Sequence, residues 1–110
     1  MVNPIKAEKI LNFPNDKSYK ARMSLDTIIR IEQAMGMSIL KIGQRLASAE
    51  ITLLEVINIL TLAIRSGGSD IKENDVKILV SDMGFLESIK LTGELVAMAL
   101  DVGDTTEKKT

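Results

Sequence analysis

The sequence predicts an α+β fold, mainly α: an N-terminal β-hairpin followed by about five short helices in a compact bundle. Three observations carry that prediction. Residues 18–23 alternate, with Tyr19, Ala21 and Met23 on one side and Lys20 and Arg22 on the other, which is the period of a half-buried antiparallel strand. Residues 52–68 spell out a helix start, an almost wholly apolar helix and a helix stop in succession. Elsewhere after residue 23, apolar residues recur at the helical period between capping residues and glycines. The 110 residues suffice for one domain with its own core and no staple. We expect that domain at 1–102, with the hairpin at 6–23, the helical bundle at 24–102 and a disordered tail at 103–110, where Asp, Thr, Glu and Lys dominate.

Each element has a local reason. In the first arm, 6–13, Ile10 and Leu11 are adjacent, so the pattern leaves open which of them faces inward. Pro14, Asn15, Asp16 and Lys17 supply the turn, by a fixed φ or by side-chain bonds to the backbone. Ser24 caps a helix with Leu25, Ile28, Ile29 and Met35 on its apolar stripe and Gly36 as its stop. Ser38 starts a short helix whose inner face is Ile39, Ile42 and Leu46, with Ala49 at its edge, and whose Lys41, Gln44, Arg45 and Ser48 face water.

Thr52 and Glu55 then have capping-box spacing. Between Leu53 and Ile64 apolar residues occupy nearly every angular position, so that helix has to sit inside the bundle. Arg65 suits the negative end of the dipole, and Gly67 or Gly68 terminates the helix. Asp70 to Asp75 place acidic residues at the next amino end, followed by Val76, Leu79, Val80 and Met83 and closed by Gly84. The last helix runs from Phe85 or Leu86 to Leu100. Phe85, Ile89, Val96 and Leu100 form one apolar side and Leu91, Leu95 and Met98 another, more than one buried stripe requires.

Composition narrows the chemistry. The chain has neither cysteine nor histidine, which removes disulfides, thiolate metal sites, most zinc chemistry and the usual general base near neutral pH. No enzyme, cofactor or metal is expected. Phe13, Tyr19 and Phe85 are its three aromatics, so the core is aliphatic, with six methionines adding adaptable volume. The net charge of -1 hides a basic first half, +3 over residues 1–50, and an acidic second half, -4 over 51–110. Such a split allows head-to-tail self-association, although a solvated surface is the favoured reading. Neither the basic density of a nucleic-acid surface nor a membrane-length apolar run is present, and the amino end lacks a signal-peptide core. We expect a protein of the cytoplasm of a bacterial host with no nucleic-acid or membrane partner.

Candidate sites are few. Asp70, Glu73, Asn74 and Asp75 lack the alternation, central glycine and closing glutamate of a calcium loop. Gly67, Gly68 and Ser69 are not preceded by a strand or followed by Gly-Lys-Ser/Thr, so they read as a stop and not a phosphate cradle. The carboxylates Asp26 and Glu32, or Glu87 and Glu94, read as solvated helix charges. Two helices joined at Gly36 and Met37, with Lys41, Gln44 and Arg45 on the second, have helix-turn-helix length and make a small DNA-binding regulator an alternative. The surplus apolar residues Leu91, Leu95 and Met98 are the candidate partner-binding residues.

The layout as a whole resembles a family. The strand-turn-strand from Ile10 to Met23, the helix Leu25-Asp26-Thr27-Ile28-Ile29-Arg30-Ile31-Glu32 and the short helix from Ser38 to Leu46 come first. Leu53 to Ile64 then ends in Arg65-Ser66-Gly67-Gly68, before the acidic start Lys72-Glu73-Asn74-Asp75-Val76 and a closing helix through Val96 to Leu100. This order is similar to the small tail assembly chaperones of tailed phages, prophages and gene transfer agents, also labelled tail tube proteins of the gene transfer agent type. The resemblance implies a non-catalytic protein that binds the tape measure protein and tail tube protein during virion assembly and then leaves. A structural tail tube or connector subunit retained in the particle is the alternative within the same setting.

Overall fold

The first strand needs its inward face chosen, and pairing chooses it. A computed structural model describes the backbone of residues 8–108 and the side chains of 8–101. Positions 6 and 7, expected in the first strand, and 109–110, expected in the tail, lie outside the described residues. Strand β1 (Glu8–Phe13) pairs antiparallel with β2 (Lys17–Arg22), in a register that sets Leu11 opposite Tyr19 and Lys9 opposite Ala21. Leu11, Phe13, Ala21 and Met23 are thereby buried, and Ile10 is left outside. The Phe13 and Tyr19 rings meet edge to face with centroids 6.2 Å apart. Asn15 and Asp16 take φ of 65° and 59° in the turn, a conformation their short polar side chains tolerate better than most, so no glycine is required.

Five helices follow, as expected: α1 (Leu25–Met35), α2 (Ile39–Ala47), α3 (Leu53–Ser66), α4 (Glu73–Met83) and α5 (Phe85–Lys108). Helix α3 is the hub and packs against β2, α1, α4 and α5. Its Val56, Ile57, Ile59, Leu60, Ala63 and Ile64 are buried, which explains an apolar content spread around the helix. The capping box forms in full: Glu55 N–H donates to Thr52 Oγ1 at 3.1 Å, and Thr52 N–H donates to Glu55 Oε1 at 2.9 Å. At α4 only the returning half exists, Lys72 N–H to Asp75 Oδ2 at 3.1 Å, because the lysine side chain has no acceptor. Buried Thr61, Ser88 and Thr92 each donate to the carbonyl one turn back, at 2.7, 2.8 and 2.7 Å, which lets hydroxyls sit in an aliphatic core.

Four local expectations are corrected. In α1 the buried positions are Thr27 and Ile31, while Leu25 and Ile29 are exposed. Thr27 displaces the apolar pair because its hydroxyl is satisfied by Ser24 and Ser66. Ala49 faces solvent with φ 57° in the loop after α2. Arg45 is not a free surface charge; its guanidinium holds Glu55. The helix expected to end at Leu100 continues to Lys108, through most of the tail expected to be disordered; no proline follows Gly103 to interrupt its hydrogen bonding.

The end of α3 shows why one glycine is needed. Gly67 itself has ordinary helical φ, and Gly68 takes the positive one. A Cβ on Gly67 would overlap the carbonyl of Lys20 in β2. The hairpin is therefore seated directly on the carboxyl end of the central helix. Lys9 Nζ lies 3.5 Å from Glu94 Oε1 and ties the other strand to α5. Among the described residues no helix is long and apolar enough to cross a membrane.

Candidate partner-binding surface

The capping box fixes where α3 begins and so where Leu53 and Leu54 project. Bidentate bonds reinforce that start: Arg45 Nη1 and Nη2 donate to the two Glu55 oxygens, each at 2.8 Å, and Arg45 Nε donates to the Glu50 carbonyl at 2.9 Å. The guanidinium hydrogen bonds hold the Glu55 carboxyl below its ordinary range, opposed by partial burial and helped by the Thr52 N–H and hydroxyl. The same carboxylate raises Arg45. This pairing was not legible from sequence. The sequence marks Glu55 as a cap, but no local pattern links it to a residue ten positions earlier across a loop.

With its start pinned, α3 leaves Leu53 at 48% exposure and Leu54 at 58%. They border an open groove of about 610 Å³ whose other walls are the end of α4 and the start of α5. Ile57 and Val80 lie along it, Phe85 at 40% exposure bounds it, and Lys77 and Ser81 are its polar members. Gly84, with φ 98°, joins α4 to α5 without a linker and contributes bare backbone to the lining. Ile78 and Leu86, next to this groove in sequence, are exposed as well. A concentration of large apolar side chains at one end of a small chain is the mark of an interaction surface.

The residues singled out from sequence are elsewhere. Leu95 is fully buried, and Leu91 and Met98 are half-buried and packed against the core. The surplus on α5 is used because that helix meets α2, α3 and α4 at once. In this conformation a partner cannot reach Leu95. An open apolar surface comes from the first turn of α3 and the α4–α5 junction, and its trace in the sequence is faint: Leu53 and Leu54 fall before the buried run, and Phe85 and Leu86 lie at a helix start.

Comparison with known proteins decides the family. The sequence model described as phage tail tube protein, GTA-gp10, matches residues 9–102, which takes in the hairpin, α1 to α4 and α5 as far as residue 102. The chain belongs to that family. No curated protein and no solved structure matches it. Membership in the phage tail tube family places the chain's work in the phage tail, in its structure or its assembly, and implies contact with other tail proteins. The matched span includes both sides of the apolar groove, so the surface belongs to the part of the chain that carries the family's pattern.

Proposed function

We propose that the chain is a non-catalytic tail assembly chaperone that holds an amphipathic helical segment of the tape measure protein, and tail tube subunits, in the cytoplasm of the bacterial host until the tube polymerises. The observation that carries this reading is the groove formed by Leu53, Leu54, Ile57, Val80 and Phe85 on a member of a phage tail family. A groove walled by three helix segments suits the apolar stripe of a fourth helix, and few anchors give the reversible binding that a protein released later requires. The hairpin supports the same choice. Its strands are six residues each and form a two-stranded sheet, poor material for a tube joined by strand pairing.

The second reading is a tail tube or connector subunit that stays in the particle, favoured by the wording of the family description itself. Capture of the tagged chain from cells producing tail proteins, with mass spectrometry of the bound proteins and of finished particles, separates the two. A captured tape measure protein with the chain missing from particles supports the chaperone. Stoichiometric presence in particles supports the structural subunit. Light scattering at low and high salt tests charge-driven self-association, since screening should dissociate such an oligomer.

A further inference from the structure

A polar recess of about 310 Å³ lies where the amino end of α1 meets the carboxyl end of α3, and the tail assembly reading makes no use of it. We infer that it binds a carboxylate carried on a protein partner. The recess is lined by Ser24, Thr27 and Ser66, by Arg30 and Arg65, by Asp26, and by Leu62 as its apolar member. Thr27 is buried, and its Oγ1 lies 2.9 Å from Ser24 Oγ and 2.5 Å from Ser66 Oγ. Three hydroxyls in a row have three protons to donate and two bonds between them. One O–H is therefore left over for an acceptor in the recess.

The guanidiniums are equally uncommitted. Arg65 donates its Nε–H to the Ile71 carbonyl at 2.8 Å, which fixes the group and leaves its terminal N–H groups without a partner among the described residues. Arg30 makes no ion pair or hydrogen bond among them, although Asp26 lies four residues before it on the same helix. Two arginines facing one recess, neither ion-paired among the described residues although Asp26 lines it too, contrast with Arg45, which this same chain saturates with Glu55. The lining carries two positive charges and one negative, a net of one, which matches a single carboxylate. A phosphate dianion would add its second charge against Asp26, while the amino end of α1 and the carbonyl end of α3 oppose each other there. A guanidinium fork with one hydroxyl donor beside it also fits the two oxygens of a carboxylate. The groove takes Leu53, Leu54 and Ile57 from the start of α3 and the recess takes Leu62, Arg65 and Ser66 from its end, so the two share no residue and each can be tested alone.

The test uses the full chain labelled with nitrogen-15 and titrated at constant ionic strength with an acetylated hexaglutamate amide, with its hexaglutamine counterpart and with inorganic phosphate. The expected result is saturable movement of the Arg65 Nε–H resonance and of the Thr27 and Ser66 amides with hexaglutamate alone. Arg30→Gln should weaken that affinity about tenfold, the loss of one charge-assisted contact, with an unchanged unfolding midpoint. Arg65→Lys, which keeps the charge and removes the fork, should weaken it comparably. Equal response to hexaglutamine, response to phosphate instead, or shifts that map away from Thr27 and Ser66 would each overturn the inference.

Discussion

At the scale of single residues, Gly67 and Glu55 do more than their sequence signals announce. Gly67 sits against the Lys20 carbonyl, a backbone atom that cannot swing aside as a side chain could. Gly67→Ala therefore has to push the hairpin off α3 or deform the helix end, and we expect a loss of about 2–4 kcal/mol in urea unfolding. Glu55 makes a prediction in pH. Its carboxyl is held below the ordinary value of 4.5 in the folded chain, chiefly by the Arg45 hydrogen bonds. The folded state thus binds the Glu55 proton less readily than the unfolded state does. The resulting stabilisation is full above pH 4.5 and is lost as pH falls through the lower folded value. In Glu55→Gln that part of the acid dependence should disappear, so the difference in unfolding free energy between wild type and variant should shrink as pH drops below the ordinary carboxylate range.

At the scale of elements, the caps and the hydrophobic periods made most of the fold legible. Ser24, Ser38 and Thr52 each cap the helix expected of them, and the strand alternation from Tyr19 to Met23 matches the observed burial. What failed was the assignment of faces in helices touched from several directions. On α1, periodicity favours Leu25 and Ile29, but a threonine with two hydroxyl partners takes the inner position through a bond to Ser66, 39 residues away. On α5, two apolar sides looked like one core face and one spare face; packing on α2, α3 and α4 uses both. Local pattern says how wide an apolar surface is and not how many neighbours it meets. Leu95 measures the difference. Fully enclosed, it should lose about 3 kcal/mol on Leu95→Ala by thermal or urea unfolding. An aspartate there should abolish the cooperative transition. An aspartate variant that kept its helical circular dichroism would return Leu95 to the surface.

At the scale of the whole molecule, Ile10, Leu25, Ile29 and Leu40 are exposed on other elements, whereas Leu53, Leu54 and Phe85 are exposed together around one groove. The core encloses the hairpin face and the centre of the bundle, while Leu53, Leu54 and Phe85 border an open groove. Their exposure also makes them suitable for separating function from stability. Leu54→Glu changes a side chain that is 58% exposed and adds a negative charge in the first turn of α3, where the helix dipole favours it. Its effect on unfolding should stay within about 0.5 kcal/mol. If the groove holds a tail protein, the same change buries an unpaired carboxylate in the complex and should reduce capture at least ~30-fold, the loss of one apolar anchor of about 2 kcal/mol. Ile10→Glu is the control, since Ile10 is 55% exposed, lies on β1 and lines neither the groove nor the recess. Loss of capture by Leu54→Glu alone assigns partner binding to the α3–α4–α5 groove; equal loss in both variants points to added negative charge as the cause, and full capture in both removes the groove from the account of tail assembly.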